Sequence, residues 1–417
     1  MVNRQRERMS MKRWQKLLLI LLVLILLSQG PFVYRRYQLG RLNAAIQKVN
    51  SDRRTEPSQT GYREFIGVSH VHSFLGGHSK GTLQEIIDAA SANRLDFVLM
   101  TEHPALNFNT AEKTLHGRHG GVLFVNGNEV RTRTGDRLLL VPGDGQANKD
   151  SQSSTPEVLS RRNGSVQFVA YPEEFQSWEA TGYNGVEVFN LYTNARQINR
   201  LVMFFDSLWS YRSNPDLLFA TFYERPAPGL QKWDEAIARK RGKLVAISGN
   251  DAHSNVGVSL NDSSGNRLLG LTLDPYERSF RLVRLHIFAA PSAPMEVPQL
   301  DEESLLKAIS SGHCFIGFDV LGDTTGFRFT AQDADENVIM GDEIKLDSEA
   351  RLIVSLPVHG RILLLKDSRP IEDSNGINRM EFVAKEKGSY RVEVYLPQLP
   401  GRVGSQPWII SNPIYLR

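Results

Sequence analysis

The chain has 417 residues, of which 41% are hydrophobic and 23% are charged, enough apolar sequence for the cores of about two or three domains. Its formal net charge of +3 is small, and residues 1–16 alone carry six basic side chains against one acidic side chain. The near-neutral remainder argues against nucleic acid as a partner, and the single cysteine, Cys314, excludes an internal disulfide and a cysteine zinc site.

An apolar segment behind this basic stretch predicts a membrane helix. Residues 17–27 are eleven apolar residues without interruption, and the segment 17–34 reaches the lower limit for a bilayer span. The positive charge before it predicts that residues 1–16 stay in the cytoplasm and that the rest is exported. We therefore expect a single-pass protein of a bacterial cytoplasmic membrane with an uncleaved signal-anchor. The alternative is a protein secreted after signal cleavage, since residues 28–30 have the small-x-small form of a cleavage site.

Composition divides the rest of the chain into three parts. Residues 35–62 are polar and charged and predict a linker. In residues 63–322, short apolar runs alternate with amphipathic stretches, which predicts an α/β domain built on parallel strands. Residues 326–417 carry short alternating runs, with the turn residues 373–376 among them, and predict a small all-β sandwich.

Histidine and carboxylate side chains follow the apolar runs of the α/β segment. They are His70, His72, His78, His103, Glu129, Asp251 and His253. Because the carboxyl ends of parallel strands converge, we expect these side chains to form one metal site. Nitrogen and oxygen donors without sulfur favour zinc, manganese or iron. Seven ligands are too many for one tetrahedral ion, so we expect two divalent ions, with the Glu129 carboxylate able to bridge them.

In order and spacing, the segments His70-x-His72-Ser73, His78, Thr101-Glu102-His103, Gly127-Asn128-Glu129 and Asp251-Ala252-His253 resemble the polymerase-and-histidinol-phosphatase (PHP) metallohydrolase superfamily. The resemblance covers about residues 63–320. It implies a distorted TIM-like barrel of seven β/α units, with two or three metal ions at the carboxyl ends of its strands. The C-terminal segment resembles the immunoglobulin-like domain of exported bacterial members.

The resemblance also implies roles for single residues. By position, His70, His72, Glu129 and Asp251 match one metal site, and His78, His103 and His253 match another. Glu129 would bridge the ions and Asp251 would complete the catalytic centre. Metal-bound hydroxide, rather than a protein side chain, would then be the nucleophile.

The chain departs from the family pattern at Tyr171, where the family usually has a histidine ligand. The next strand, 185–190, also offers no histidine, so a third metal position is expected to be empty or weakly held. We assign Tyr171, Glu187 and Asn190 to the substrate pocket, together with two basic residues that could meet an anionic substrate, Lys80 and Arg131.

Three functions fit these features. The first is an exported phosphoesterase that acts on a small-molecule or envelope-associated mono- or diester. The second is a metal-dependent hydrolase of a non-phosphate ester, carbamate or amide. The third is a non-catalytic binding protein that keeps the barrel, which the nearly complete set of ligands argues against.

Overall fold

The computed structural model describes residues 12–54, 61–161, 164–196, 199–220, 222–240, 242–255, 257–261, 267–272, 274–290, 299–333 and 337–417. Most of the basic segment (residues 1–11) and part of the predicted linker (residues 55–60) lie outside this description.

The described helices are α1 (Arg13–Ser28), α2 (Gly30–Ser51), α3 (Leu83–Ala92), α4 (Thr110–Lys113), α5 (Ala147–Ser151), α6 (Thr155–Arg161), α7 (Leu191–Arg196), α8 (Arg200–Ser210), α9 (Pro215–Ala220), α10 (Ala227–Lys240), α11 (Tyr276–Leu282) and α12 (Glu302–Ser311).

The described strands are β1 (Arg63–Val71), β2 (Phe97–Met100), β3 (Gly117–His119), β4 (Val122–Val125), β5 (Asn128–Arg131), β6 (Arg137–Val141), β7 (Val166–Ala170), β8 (Gly185–Asn190), β9 (Val245–Gly249), β10 (Gly257–Asn261), β11 (Arg267–Thr272), β12 (Arg284–Ala289), β13 (Cys314–Gly317), β14 (Arg328–Gln332), β15 (Asn337–Ile339), β16 (Glu343–Ile344), β17 (Ala350–Lys366), β18 (Arg369–Ala384), β19 (Gly388–Tyr395), β20 (Pro407–Ser411) and β21 (Ile414–Leu416).

Two mixed sheets carry most of these strands. The larger has 14 strands, with the core order β15-β14-β17-β19-β20-β13-β12-β1-β2-β4-β3, and the second has five, in the order β5-β6-β7-β8-β9. Neighbours run parallel in β1-β2-β4 and in β7-β8-β9, so the predicted parallel strands and the mixed α/β class are confirmed. Within the described residues the strands form separate sheets rather than one closed barrel.

The two sheets meet where the ligand-type residues lie. Isolated parallel bridges join Val71 to Ala252 and Glu102 to Asn128. The first bridge links the end of β1 to the residues after β9, and the second links the residues after β2 to β5. The ends of these strands are therefore held side by side, and the cluster described below lies between them.

The N-terminal helical segment continues beyond the predicted membrane span. Residues Arg13–Ser51 form a helix long and apolar enough to cross a membrane or to act as a signal sequence. Residues 35–51, which we assigned to a linker, are helical as well, and Leu39, Leu42, Ile46 and Val49 are buried in the main core. These four residues recur at the spacing of one helical face. This pattern was missed in the sequence analysis because charged residues surround it and the mean hydropathy of the segment is low.

The C-terminal segment joins the larger sheet through β13 and β20, which pair with Ile316 opposite Ile410. The Asn412 side chain reinforces this junction: its Nδ2 donates to the carbonyl oxygens of Ala246 (3.0 Å) and Cys314 (2.9 Å), and its Oδ1 accepts from the Ala246 N–H at 2.7 Å. All the strands after residue 326 thus belong to the sheet that also contains β1 and β2.

The predicted turn at residues 373–376 lies inside β18. Gly360 of β17 pairs with Ile377, whereas Arg361 pairs with Asn375, so Gly376 is an extra residue in β18. Its φ of 73° lies in the left-handed region, which glycine adopts without steric cost. The glycine that signalled a turn is a β-bulge in a long hairpin, because pairing with β17 continues on both sides of it.

Candidate metal centre

Four buried side chains converge at the junction between the sheets. His70 lies near the end of β1, His72 directly follows it, Glu129 lies on β5 and Asp251 follows β9. One potential ligand atom from each of these residues lies within 4.8 Å of every other. Nε2 of His72 is 3.4 Å from both Oε2 of Glu129 and Oδ1 of Asp251. This cluster could hold a metal ion, with two imidazoles and two carboxylates as the donors.

Glu187 of β8 fixes the orientation of His70. Its Oε1 lies 2.5 Å from Nδ1 of His70, while Nε2 of the same ring faces Glu129 Oε2 at 3.2 Å. Burial disfavours a charged imidazole, but the carboxylates of Glu187, Asp251 and Glu129 outweigh it and raise the pKa of His70 well above its usual value. A carboxylate behind one ring nitrogen, with the other nitrogen turned to the centre, is the usual arrangement behind a metal-bound histidine.

His72 is the strongest evidence that the cluster fits an ion. The side chain is buried, and neither ring nitrogen has a hydrogen-bond partner in the described structure. Burial lowers the pKa of His72 to about 4, so the ring is neutral at physiological pH and keeps a lone pair for coordination. A buried polar atom without a partner costs roughly 1–3 kcal/mol. A metal at this position would remove that cost.

A second group consists of His72, His103 and His253. The His72 ring stacks against both neighbours, with centroid separations of 4.5 Å to His103 and 4.3 Å to His253. Nδ1 of His253 lies 2.8 Å from the Asp251 carbonyl oxygen; because a carbonyl only accepts, Nδ1 is the donor and Nε2 is free to bind. Burial lowers the pKa of His103 to about 3, which also keeps this ring neutral.

His78, predicted as a ligand, is exposed and belongs to neither group among the described residues. Its ring centroid lies 4.8 Å from that of His103, so the residue borders the second group. His72 takes the place in that group that the resemblance gives to His78. The left-handed glycine Gly77 (φ 76°) leaves the His78 loop at the surface of the site.

Backbone conformation is unusual at three site residues. His70 (φ 62°), Tyr171 (φ 50°) and Asp251 (φ 46°) adopt left-handed conformations although none is glycine. At His70 the pairing of β1 with β2 also shifts register between Val68 and Val71, so the strand bulges at the ligand. Such conformations cost of order 1–3 kcal/mol each and cluster at functional sites. Here they turn side chains at strand ends toward a common point.

Tyr171 and Asn190 hold the far oxygen of Asp251. The Tyr171 hydroxyl donates to Oδ2 of Asp251 at 2.6 Å, and Nδ2 of Asn190 lies 3.3 Å from the same oxygen. Burial and then the Asp251 charge raise the pKa of Tyr171, so its hydroxyl remains a donor at all ordinary pH values. Both residues were assigned to substrate, as was Glu187. In the structure all three bind ligand side chains or one another, and the buried Glu187 also accepts from Asn190 at 3.1 Å.

A basic residue that the sequence analysis missed, Arg137 of β6, borders the centre. Its Nη1 lies 3.4 Å from Oε1 of Glu129, and its guanidinium lies over the Tyr171 ring, 4.6 Å from the centroid. Arg131 pairs with Arg137 across the β5-β6 ladder, and it shares a strand face with Glu129 because the two residues are two positions apart. The Arg131 side chain is exposed, one step further along this face than Glu129. Lys80 is exposed on the loop after His78.

Gly249, at the end of β9, is a second residue that the sequence did not single out. A Cβ built on it would overlap Oε1 of Glu187 and approach the Cβ of His70 at 3.1 Å. Only glycine therefore leaves room for Glu187 to reach His70. A glycine two positions before a ligand is a weak signal in one sequence, because many strands end in glycine.

Comparisons with known proteins identify neither a family nor a function for the chain. No family model matches the chain, and no curated protein matches it. Among solved structures, the chain is similar to the crystal structure of PsfC from Pseudomonas syringae PB-5123. The two share 13% sequence identity with a TM-score of 0.36, and the alignment covers 60% of this chain and 90% of PsfC. A similarity this low transfers neither a fold nor a function.

Proposed function

We propose that the chain is a metal-dependent phosphoesterase, held at a membrane by its N-terminal helix, with the hydrolytic centre outside the cytoplasm. The observation that carries the proposal is the buried cluster of His70, His72, Glu129 and Asp251, in which both ring nitrogens of His72 lack partners. The PHP-like order of these residues along the chain supports the same conclusion. The two bridges between the sheets are in keeping with the distorted barrel that the resemblance implies.

The residues present fit two divalent ions. His70, His72, Glu129 and Asp251 would hold the first, and His103 and His253 would hold the second. Nδ1 of His103 lies 3.6 Å from Oε2 of Glu129, so this carboxylate is within reach of both groups. When bound, such ions supply a water nucleophile activated near neutral pH and stabilise negative charge on the reacting group. Glu187 orients His70, and Tyr171 and Asn190 orient Asp251.

The choice of a phosphate ester rests on the basic residues at the border. Arg137 lies beside Glu129, and the exposed Arg131 pairs with Arg137 on the neighbouring strand. A guanidinium is suited to phosphate because it presents several donors in a planar fork. The Arg137 guanidinium lies over the face of the Tyr171 ring, and this cation–π contact helps to hold it in place. Substrate oxygens would therefore meet fixed positive charge on one side of the centre and metal ions on the other.

A substrate panel on the full chain in mild detergent, loaded with zinc or manganese, tests this function. We expect hydrolysis of p-nitrophenyl phosphate or bis(p-nitrophenyl) phosphate, and Arg137→Met should raise KM for the phosphate ester about 10- to 100-fold. Lys149→Met, which removes an exposed cation on α5, is the matched control.

Other outcomes point to other functions. Turnover confined to carboxyl or carbamate esters would replace the proposal with the alternative hydrolase. Metal binding without any turnover across the panel would favour a non-catalytic binding protein.

A further inference from the structure

The helix α8 exposes an apolar face. Leu201, Phe204 and Leu208 have relative exposures of 68%, 58% and 69%, and their spacing places them on one side of the helix. The opposite side is fixed to the protein: Asp206 and Ser210 are buried. Three large apolar side chains that are exposed on one face of a helix indicate an interaction surface rather than scattered surface residues.

This helix is docked onto the N-terminal helical segment. Phe205 packs on Phe32 with ring centroids 5.1 Å apart. Nη1 of Arg35 lies 2.7 Å from Oδ2 of the buried Asp206. Two hydrogen bonds extend the contact: Nε1 of Trp209 donates to Oε1 of Gln29, and Nη1 of Arg36 donates to the Trp209 carbonyl oxygen, each at 3.0 Å. The position of α8 along the N-terminal segment is thus set by residues 29–36.

Aromatic residues mark where a bilayer surface would cross that segment. Trp14 and Tyr34 are both exposed, and between them lie the exposed apolar residues 17–27. About 20 residues separate Trp14 from Tyr34, which is about 30 Å of α-helix and equals the thickness of the hydrocarbon core. Tryptophan and tyrosine are enriched at the two membrane–water interfaces. The second interface therefore falls near Tyr34 and Tyr37, at the level where α8 is docked.

We infer that α8 is an interfacial helix, whose face of Leu201, Phe204 and Leu208 lies in the surface of the same bilayer that α1 crosses. The occupant of this face is lipid. Continuity with the apolar surface of α1 supports lipid over a protein partner, because a helix docked at the interface level already faces acyl chains and headgroups. Arg36 lies at the same level and adds attraction to anionic headgroups. The inference requires that α1 is inserted in the bilayer, and it does not depend on the proposed hydrolytic activity.

Site-specific quenching on the full chain in nanodiscs of phosphatidylcholine and phosphatidylglycerol tests this inference. Phe204→Cys can be labelled selectively with a fluorescent maleimide, because Cys314 is buried and is the only other cysteine. Val383→Cys, an exposed apolar position on β18, is the matched control. Lipids with a nitroxide high on the acyl chain should quench the label at position 204 at least threefold more than the label at position 383.

Equal quenching at the two positions would overturn the inference. Leu208→Cys repeats the test one helical turn away, so a local disturbance at position 204 does not decide the result. Excimer emission from pyrene at position 204 in nanodiscs that hold two chains, without lipid quenching, would show a second copy as the occupant and would likewise overturn it.

Discussion

Oε1 of Glu187 lies 2.5 Å from Nδ1 of His70, and both side chains are fully buried at the junction of two sheets. The contact fixes which nitrogen of His70 faces the cluster, since Nδ1 is bound to Glu187 and Nε2 faces Glu129 and Asp251. Glu187 is thus a positioning residue, which acts on the candidate metal centre through His70.

Replacing Glu187 should weaken metal binding without removing a ligand. We expect Glu187→Gln to lower metal affinity about 10-fold, because the amide keeps a hydrogen-bond acceptor but loses the charge, and Glu187→Ala to lower it up to about 100-fold. Competition with a chromophoric chelator measures both variants. Glu157→Gln, at an exposed residue of α6, is the control. Unchanged affinity in Glu187→Ala would show that His70 needs no support.

Gly249→Ala, which adds one methyl group, should also weaken metal binding, in this case by displacing Glu187. A Cβ on residue 249 would overlap Oε1 of Glu187, so Gly249→Ala must displace that carboxylate. We expect a loss of metal affinity similar to that of Glu187→Ala. Gly40→Ala, on α2 with open space around it, should bind metal like the unmodified chain. Native affinity in Gly249→Ala would contradict the inferred geometry.

Tyr171→Phe removes the 2.6 Å hydrogen bond to Asp251 and leaves Asn190 as the remaining side-chain donor to Oδ2. A hydrogen bond to a buried charged group contributes about 1.5–3 kcal/mol, so the metal-free protein should lose stability by that order. Urea unfolding of the full chain in detergent measures the change. Tyr37→Phe, at an exposed residue, should leave the stability unchanged. A loss in Tyr171→Phe below roughly 0.5 kcal/mol would mean that the bond is not formed in solution.

His286 should make stability depend on pH. Its Nδ1 lies 2.8 Å from Oε1 of Glu64 and its Nε2 lies 3.4 Å from Oδ1 of Asp319. Burial opposes the imidazolium, but these carboxylates outweigh it and raise the pKa of His286 from 6.5 to about 9. Because the folded pKa is the higher one, the contribution is fully present below pH 6.5 and is lost as the pH rises through 9.

That difference corresponds to an upper limit of about 3 kcal/mol. In metal-free protein, the free energy of unfolding should therefore fall between pH 6.5 and 9, and His286→Gln should remove most of this slope. His359→Gln, at an exposed histidine of β17, should retain it. An identical slope in all three proteins would exclude His286 as the titrating group.

The sequence was sufficient to predict the strands and the candidate ligand residues at their ends. The apolar runs ending near residues 68, 100, 125 and 247 are β1, β2, β4 and β9, and the residues after them converge because parallel strands end at the same side of a sheet. Local patterns suffice here, since a buried strand requires an unbroken apolar run and a ligand must stand where that run stops.

The residues that border or position the cluster could not be predicted from the sequence, because their roles arise from pairing between distant segments. Arg137 borders the centre only through the β5-β6 register, and Glu187 reaches His70 only because Gly249 leaves space on the neighbouring strand. The helix over residues 35–51 was missed for a related reason. Its buried face is stabilised by contacts with the core, and its own composition is polar.

The most direct test of the account is the number of metal ions bound to the full chain purified in detergent without chelator. Elemental analysis should find about two ions per chain, as two neighbouring ligand groups with Glu129 within reach of both imply, and fewer in Asp251→Ala. His359→Ala should match the unmodified chain, and circular dichroism should show that Asp251→Ala retains its fold. Little or no metal in the unmodified chain, or the same metal content in Asp251→Ala, would contradict the metal centre.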